Sequence, residues 1–279
     1  MLISMDHVAL VVRDLKASTE RYSAFLGCKP IWRGTERARF QLGNTALDMV
    51  VPVGSSAVGV RAQGQLDKHG EGLWVLAFAT ADIGKARHTL ARRGIASSEV
   101  RQIRSADFES NKEYCWATSE LSAEATHGIT IFLVEQETDA AHGSRCKPNA
   151  AANSAVSSLD HIVITTAHPE RAAALYGTRL GLEMKLDRTN PDWGSRLMFF
   201  KCGDLVVEIA HNLKNIDSSA PDKLWGLSWR VADIAAAHAR IAQAGFNVSD
   251  IRVGRKPGTK VFTVRDAPAN VPTLVIGRD

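Results

Sequence analysis

Cysteine is scarce: four residues in 279, at Cys28, Cys115, Cys146 and Cys202, each standing alone. With no CxxC pair a zinc ribbon is excluded. A disulfide framework does not suit a chain this long, so the expected setting is reduced and cytoplasmic. Long apolar runs are missing too. The longest, such as Trp74 to Ala81, spans about eight residues, whereas a membrane-crossing helix needs roughly 20. The opening segment MLISMDHVALVV has no basic residue, and Asp6 and His7 interrupt it, so it does not read as a signal peptide. No basic stripe is present either. The chain has 34 Lys+Arg against 30 Asp+Glu, interspersed, for a net charge of +4. Nucleic acid and membrane are therefore not expected partners.

What is present suits a packed protein. The composition is 45% apolar and 23% charged, and 279 residues are enough for two domains of ordinary size. The chain also repeats itself, the feature to seek first. MDHVALVV (5–12) matches LDHIVITT (159–166); at the same offset Tyr22 falls on Tyr176 and Leu26-Gly27 on Leu180-Gly181. LWVLAFATADI (73–83) matches LWGLSWRVADI (224–234), which sets Gly94 on Gly245. GNTALDMV (43–50) matches GDLVVEIA (203–210), which sets Asp48 on Glu208. Three matched blocks in one order describe a duplication with loop insertions.

Between the halves, residues 136–158 are rich in Ala, Ser, Asn and Gly and lack apolar periodicity, the composition of an exposed linker. The expected division is a first domain at 1–136, a linker at 137–156 and a second domain at 157–279. Each half is itself double. A short β-type run at His7–Val12 leads to a helix capped by Asp14 and ended by Gly27, then to three strands near 29–33, 36–42 and 45–51. The order restarts at Trp74–Thr80, with Asp82 as cap, Gly94 as stop and strands near 98–104, 112–119 and 129–135. In the second half, helices are expected from Pro169 to Gly181 and from Asp233 to Gly245. The fold class is α+β: four βαβββ modules, paired so that each domain is an open eight-stranded cup around a cleft.

This pattern resembles the vicinal oxygen chelate (VOC) superfamily: glyoxalase I, bleomycin-resistance proteins, methylmalonyl-CoA epimerase and the extradiol dioxygenases. The resemblance rests on Asp6-His7-Val8 and Asp160-His161-Ile162, on the helix ends at 25–27 and 179–181, and on the two Ala-Asp-Ile corners. It implies tandem glyoxalase-like domains with a metal inside the cup. The ligands would be a His from the first strand of a module and a Glu from the fourth. Carried over, it names His7 with Asp48 and His161 with Glu208 as metal ligands, the ion being Zn, Fe, Ni or Mn. No nucleotide cofactor is implied. Module two offers only Trp74 or Val75 and Phe132 at those places, and module four Trp225 or Gly226 and about Leu274. Each cup would thus hold two ligands if modules pair one-with-two and three-with-four, or one-with-four and two-with-three. Extradiol chemistry, which draws on module four, is disfavoured.

Two functions remain open at this point. One is a metal-dependent lyase, isomerase or epimerase acting on a small oxygenated metabolite, with Glu208 or Asp48 moving the proton. The other is metal-free binding of a small molecule, as in bleomycin-resistance-like sequestration, with Trp74, Trp225, Phe132 and Trp229 as the aromatic wall. A competing structural reading makes each strand-start His the partner of a neighbouring carboxylate. Third ligands were sought in His69, Glu71 and His211, the last on the opposite strand face. The assembly expected is a monomer or homodimer.

Overall fold

A computed structural model describes residues 2–54, 57–106, 113–136, 146, 149–214 and 220–278. The first half runs β1 (Leu2–Val11), α1 (Leu15–Leu26), β2 (Trp32–Arg33), β3 (Arg37–Gln41), β4 (Ala46–Val50), α2 (Ala57–His69), β5 (Gly72–Thr80), α3 (Ile83–Arg92), β6 (Arg101–Ala106), β7 (Glu113–Glu120) and β8 (Thr130–Gln136). Asp14 and Asp82 cap their helices by accepting from Ala17 N at 2.9 Å and Lys85 N at 2.7 Å. Gly27 and Gly94 then reverse the chain at φ 73° and 75°, where a side chain would be strained.

The second half repeats this with β9 (Val156–Thr165), α4 (Pro169–Ala173), β10 (Glu183–Asn190), β11 (Ser195–Cys202), β12 (Leu205–Asn212), β13 (Lys223–Val231), α5 (Ile234–Gln243), β14 (Arg252–Val253), β15 (Thr259–Val264) and β16 (Thr273–Arg278). Asp233 repeats the cap, accepting from Ala236 N at 2.9 Å. The helix begun by Pro169 widens into a π turn from Ala174 to Arg179, closed by Leu180 N donating to Leu175 O at 2.8 Å.

Two mixed eight-stranded sheets result, ordered β2-β3-β4-β1-β5-β8-β7-β6 and β10-β11-β12-β9-β13-β16-β15-β14. The cups therefore join module one with two, and three with four. The other two pairings occur as well, but behind the sheets. Phe25 of α1 packs edge-on against Trp229 of β13 at 6.0 Å, and Arg240 of α5 donates to Phe25 O at 2.8 Å. On the other side Arg179 donates to Arg93 O at 3.0 Å. Modules one and four, and two and three, thus share the apolar core that runs between the two halves.

Two elements differ from expectation. The helix α2 was not anticipated; it lies between β4 and β5, and the second half has no counterpart among the described residues. The connecting stretch, expected to be exposed, is partly packed: Cys146, Ser154 and Ala155 are buried, and Cys146 N donates to Gln41 O at 2.9 Å. Residues 137–145 lie outside the described residues. Among the described residues, no helix is long and apolar enough to cross a membrane.

Candidate functional site

Register decides which side chains share a cup. Residues directly opposite one another on neighbouring strands point to the same face. In the first sheet His7 stands opposite Ala77 and Ala46, and Ala9 opposite Asp48, so His7, Asp48 and Ala77 face one hollow. Asp48 is in turn opposite Arg39, and Arg39 opposite Trp32. In the second sheet His161 stands opposite Ser228 and Val206, Val163 opposite Glu208, and Glu208 opposite Phe199.

The first hollow is filled and charge-paired. Arg39 Nε donates to Asp48 Oδ1 at 2.7 Å, and Arg37 donates to the other oxygen. His7 Nδ1 is 2.5 Å from Asp6 Oδ1, while its Nε2 lies 3.6 Å from Asp48 and 3.3 Å from Arg37. Burial would raise the Asp48 carboxyl, but Arg37, Arg39 and His7 hold it down at about 2. Trp32, Tyr114 and Trp116 fill the adjoining space, with centroids 5.9 to 6.2 Å apart. Helix α2 covers the rest, setting Ala62 and Leu66 on Ala9, Val11, Trp74 and Val75.

The second hollow has no arginine at the equivalent places of its neighbouring strand. By register the counterpart of Arg39 is Phe199, and that of Arg37 is Leu197. Burial therefore pushes the Glu208 carboxyl up, Asp160 adds to this, and His161 and Arg255 oppose it. Glu208 Oε2 lies 3.4 Å from His161 Nε2. That nitrogen is also 2.7 Å from Ser228 Oγ, and Nδ1 is 2.9 Å from Asp160 Oδ1. The hydrogen-bond network assigns Nδ1–H as donor to Asp160 and Nε2 as acceptor from the Ser228 hydroxyl. Asp160 is itself gripped by Arg230 Nε at 2.6 Å. Burial raises its carboxyl, but the bonds to His161 and Arg230 bring it down to about 2.

The sequence profile of the glyoxalase/bleomycin resistance protein/dioxygenase superfamily matches residues 6–112 and again 160–263. The chain belongs to that superfamily. Among curated proteins, an ethylmalonyl-CoA/methylmalonyl-CoA epimerase of Cereibacter sphaeroides is 28% identical over 97 residues, covering 32% of this chain and 72% of the epimerase. Among solved structures, a variant of 4-hydroxymandelate synthase from Streptomyces coelicolor superposes with TM-score 0.68 at 13% identity, covering 100% of this chain and 94% of that one. The Mn(II)-bound glyoxalase of Novosphingobium aromaticivorans gives 0.66 at 13% identity, covering 99% and 82%. At such identities these two establish the superfamily fold and nothing finer.

Divalent metals are common in this superfamily. The donors present here do not fit one. The four places that face each cup from the first and fourth strands are His7, Asp48, Ala77 and Val134 in the first, and His161, Glu208, Ser228 and Ile276 in the second. Each set has two ligand-type side chains, where a catalytic metal takes about three. In the first cup both oxygens of Asp48 are bound by guanidinium groups. The buried polar atoms left without a hydrogen-bond partner there, Trp32 Nε1, Arg37 Nε and Arg39 Nη1, are all N–H groups, the wrong polarity for a cation. Among the described residues no cluster of three or more His, Cys, Asp or Glu is placed to hold a metal.

The structure places the residues named from sequence as follows. His7 and Asp48 lie in an arginine-bound network. Trp229 is fully buried, 0% exposed, on the core face beside Phe25; alternation from Ser228 turns it away from the cup. The positions opposite the two histidines are Ala77 and Ser228, not Trp74 or Val75 and Trp225 or Gly226. Trp74 is 9% exposed beneath α2, and Phe132 packs beside the Trp32–Trp116 group, whereas Trp225 is 53% exposed. The candidate third ligands stand elsewhere. Glu71 accepts from Arg13 N at 2.7 Å, His211 Nδ1 is 3.0 Å from Thr166 O, and His69 is exposed at the end of α2. The basic run at 101–110 continues outside the described residues, and His142 lies outside them.

Ser228, Arg37 and Arg39 were missed. The two arginines had a signal: in RARFQ the apolar Ala38 and Phe40 alternate with them, so both must share the face of Asp48. Ser228 had none, because its place opposite His161 depends on a pairing between distant strands.

Proposed function

We propose that the second domain is the working one, and that its cup binds a small oxygenated organic molecule and exchanges a proton with it. The reaction type is that of an isomerase, epimerase or lyase. Glu208 is the group that gives or takes the proton, and no resident metal takes part. The observation that carries this reading is the state of Glu208: a partly buried carboxyl driven toward its neutral form, 3.4 Å from a histidine nitrogen and, among the described residues, with no arginine bonded to it. A carboxyl tuned upward suits proton transfer at neutral pH. Asp160 and Ser228 fix the imidazole, so His161 acts as a positioning residue whose Nε2 edge lies beside Glu208. The similarity to the epimerase supports proton transfer beside a carbonyl as the chemistry.

The test is solvent-deuterium incorporation, followed by NMR, into pyruvate, 2-oxobutyrate and methylmalonyl thioesters, with EDTA present throughout. Wild-type protein is expected to catalyse exchange in at least one of them. Glu208→Gln should lower it at least about 100-fold, the usual order for losing an acid–base group. Exchange that EDTA abolishes, or exchange in none of the panel, overturns the proposal.

One observation favours a second reading. The indole of Trp225, 53% exposed, offers apolar surface suited to holding a ligand without turnover. That reading expects saturable quenching of tryptophan fluorescence by the same compounds, weakened in Trp225→Ala, with no exchange.

A further inference from the structure

The two edges of the second sheet meet across the mouth of its cup. Trp193, in the turn between β10 and β11, lies 5.1 Å from the guanidinium carbon of Arg188 and 4.2 Å from that of Arg255. Arg188 belongs to edge strand β10. Arg255 lies in the turn after β14, the opposite edge. Register puts Arg188 opposite Leu197 and Leu186 opposite Phe199, so Arg188 shares the face of Glu208. Arg255 meets the same indole as Arg188, and its charge draws the Glu208 carboxyl down.

Two other arginines around this sheet are neutralised. Arg196 is bonded to Asp187 and Glu170, and Arg230 to Asp160 and Asp204. Neither Arg188 nor Arg255 has a carboxylate partner among the described residues. Two guanidinium groups thus lie against one indole, on the side of the sheet where the Glu208 carboxyl is driven toward neutrality. Like charges brought together without an anion repel, and an arginine fork matches a carboxylate in two parallel hydrogen bonds.

We infer that Arg188, Trp193 and Arg255 form a recognition lip for a carboxylate carried by the ligand, so that the second cup selects organic acids over neutral carbonyl compounds. This rests on the reading of the second cup as the ligand site, and it adds the charge class. The indole supplies a flat apolar wall between the two cations, which keeps them apart and desolvates one side of each.

The test is binding, independent of turnover. Pyruvate, its methyl ester and inorganic phosphate are titrated into full-length protein, followed by tryptophan fluorescence and by calorimetry at low and at physiological salt. Pyruvate should bind at least about 10-fold more tightly than the ester. Arg188→Ala and Arg255→Ala should each weaken it about 10-fold, and Arg196→Ala, whose guanidinium is already paired, should leave it unchanged. Equal binding of ester and acid, or indifference to both arginine variants, overturns the inference. Phosphate binding more tightly than pyruvate overturns the carboxylate assignment. Arginine-dependent binding without deuterium exchange would remove the proposed reaction and leave this inference standing; exchange without arginine dependence would do the reverse.

Discussion

Asp48 and Glu208 occupy equivalent places on β4 and β12, yet their carboxyls are driven in opposite directions. The cause lies one strand away, where Arg37 and Arg39 in the first half are replaced by Leu197 and Phe199 in the second. The consequence for stability has opposite signs. Asp48 is held at about 2 against an ordinary value of 3.8, so its contribution is present above pH 4 and is lost as the pH falls toward 2. That shift corresponds to roughly 2 kcal/mol. Asp48→Asn should therefore cost more stability at pH 7 than at pH 2.5 in urea melts; an equal loss at both would remove the linkage. Glu208 is raised, so its folded form is favoured below the ordinary glutamate range and loses that advantage as the pH climbs through the raised value. Glu208→Gln should accordingly raise Tm at pH 8 and change it little at pH 4. A lowered Tm at pH 8 would mean that the carboxylate is already well solvated or paired.

At the scale of elements, the halves differ by one helix. The 13-residue α2 exists only in the first half among the described residues, and it lays Ala62 and Leu66, one turn apart, over Trp74. The equivalent Trp225 is 53% exposed, and among the described residues no helix lies between β12 and β13 to cover it. Leu66→Ala is expected to cost about 2–3 kcal/mol, the usual range for a buried leucine. It should also red-shift the tryptophan emission as Trp74 meets water; an unchanged spectrum would show that the helix is not what shields it. This contrast also explains what the sequence disclosed. The four helix starts and stops were legible because Asp14, Asp82, Asp233 and the αL glycines are local signals. Helix α2 was not, since AVGVRAQGQLDKH carries two glycines and a short apolar stripe. His161 and Glu208 were named by carrying the family resemblance onto the repeat. Their surroundings, Ser228 and Arg255, required knowing which strands and edges meet.

For the whole molecule, the question is what joins two cups into one body. Each half presses the turn before its fourth strand against the first strand of the other: Gly43 N donates to Ser157 O at 2.9 Å, and a Cβ on Gly203 would lie 2.9 Å from that of Ser4. The second half also sends two arginines to helix ends in the first. Arg240 donates to Ala24 O, Phe25 O and Ser154 O, and Arg179 to Arg93 O, Gly94 O and Ala125 O. Ala24 O, Phe25 O, Arg93 O and Gly94 O lie at the C-terminal ends of α1 and α3, where a cation is favoured by the helix dipole. Burial pulls the Arg240 pKa down, and no carboxylate offsets this, so its bonds to the carbonyls must outweigh a desolvation cost. Arg240→Met keeps most of the apolar stem and leaves three buried acceptors with fewer donors, a loss of about 1–3 kcal/mol. Because the core is continuous across the halves, the wild-type chain should unfold in one calorimetric transition. Arg240→Met combined with Arg179→Met should lower Tm and split the transition in two, since both cross-domain clamps are then gone while each eight-stranded sheet is untouched. A single unshifted transition in the double variant would assign the coupling to the continuous apolar core and the remaining contacts between the halves, the Phe25–Trp229 packing and the Gly43–Ser157 hydrogen bond among them.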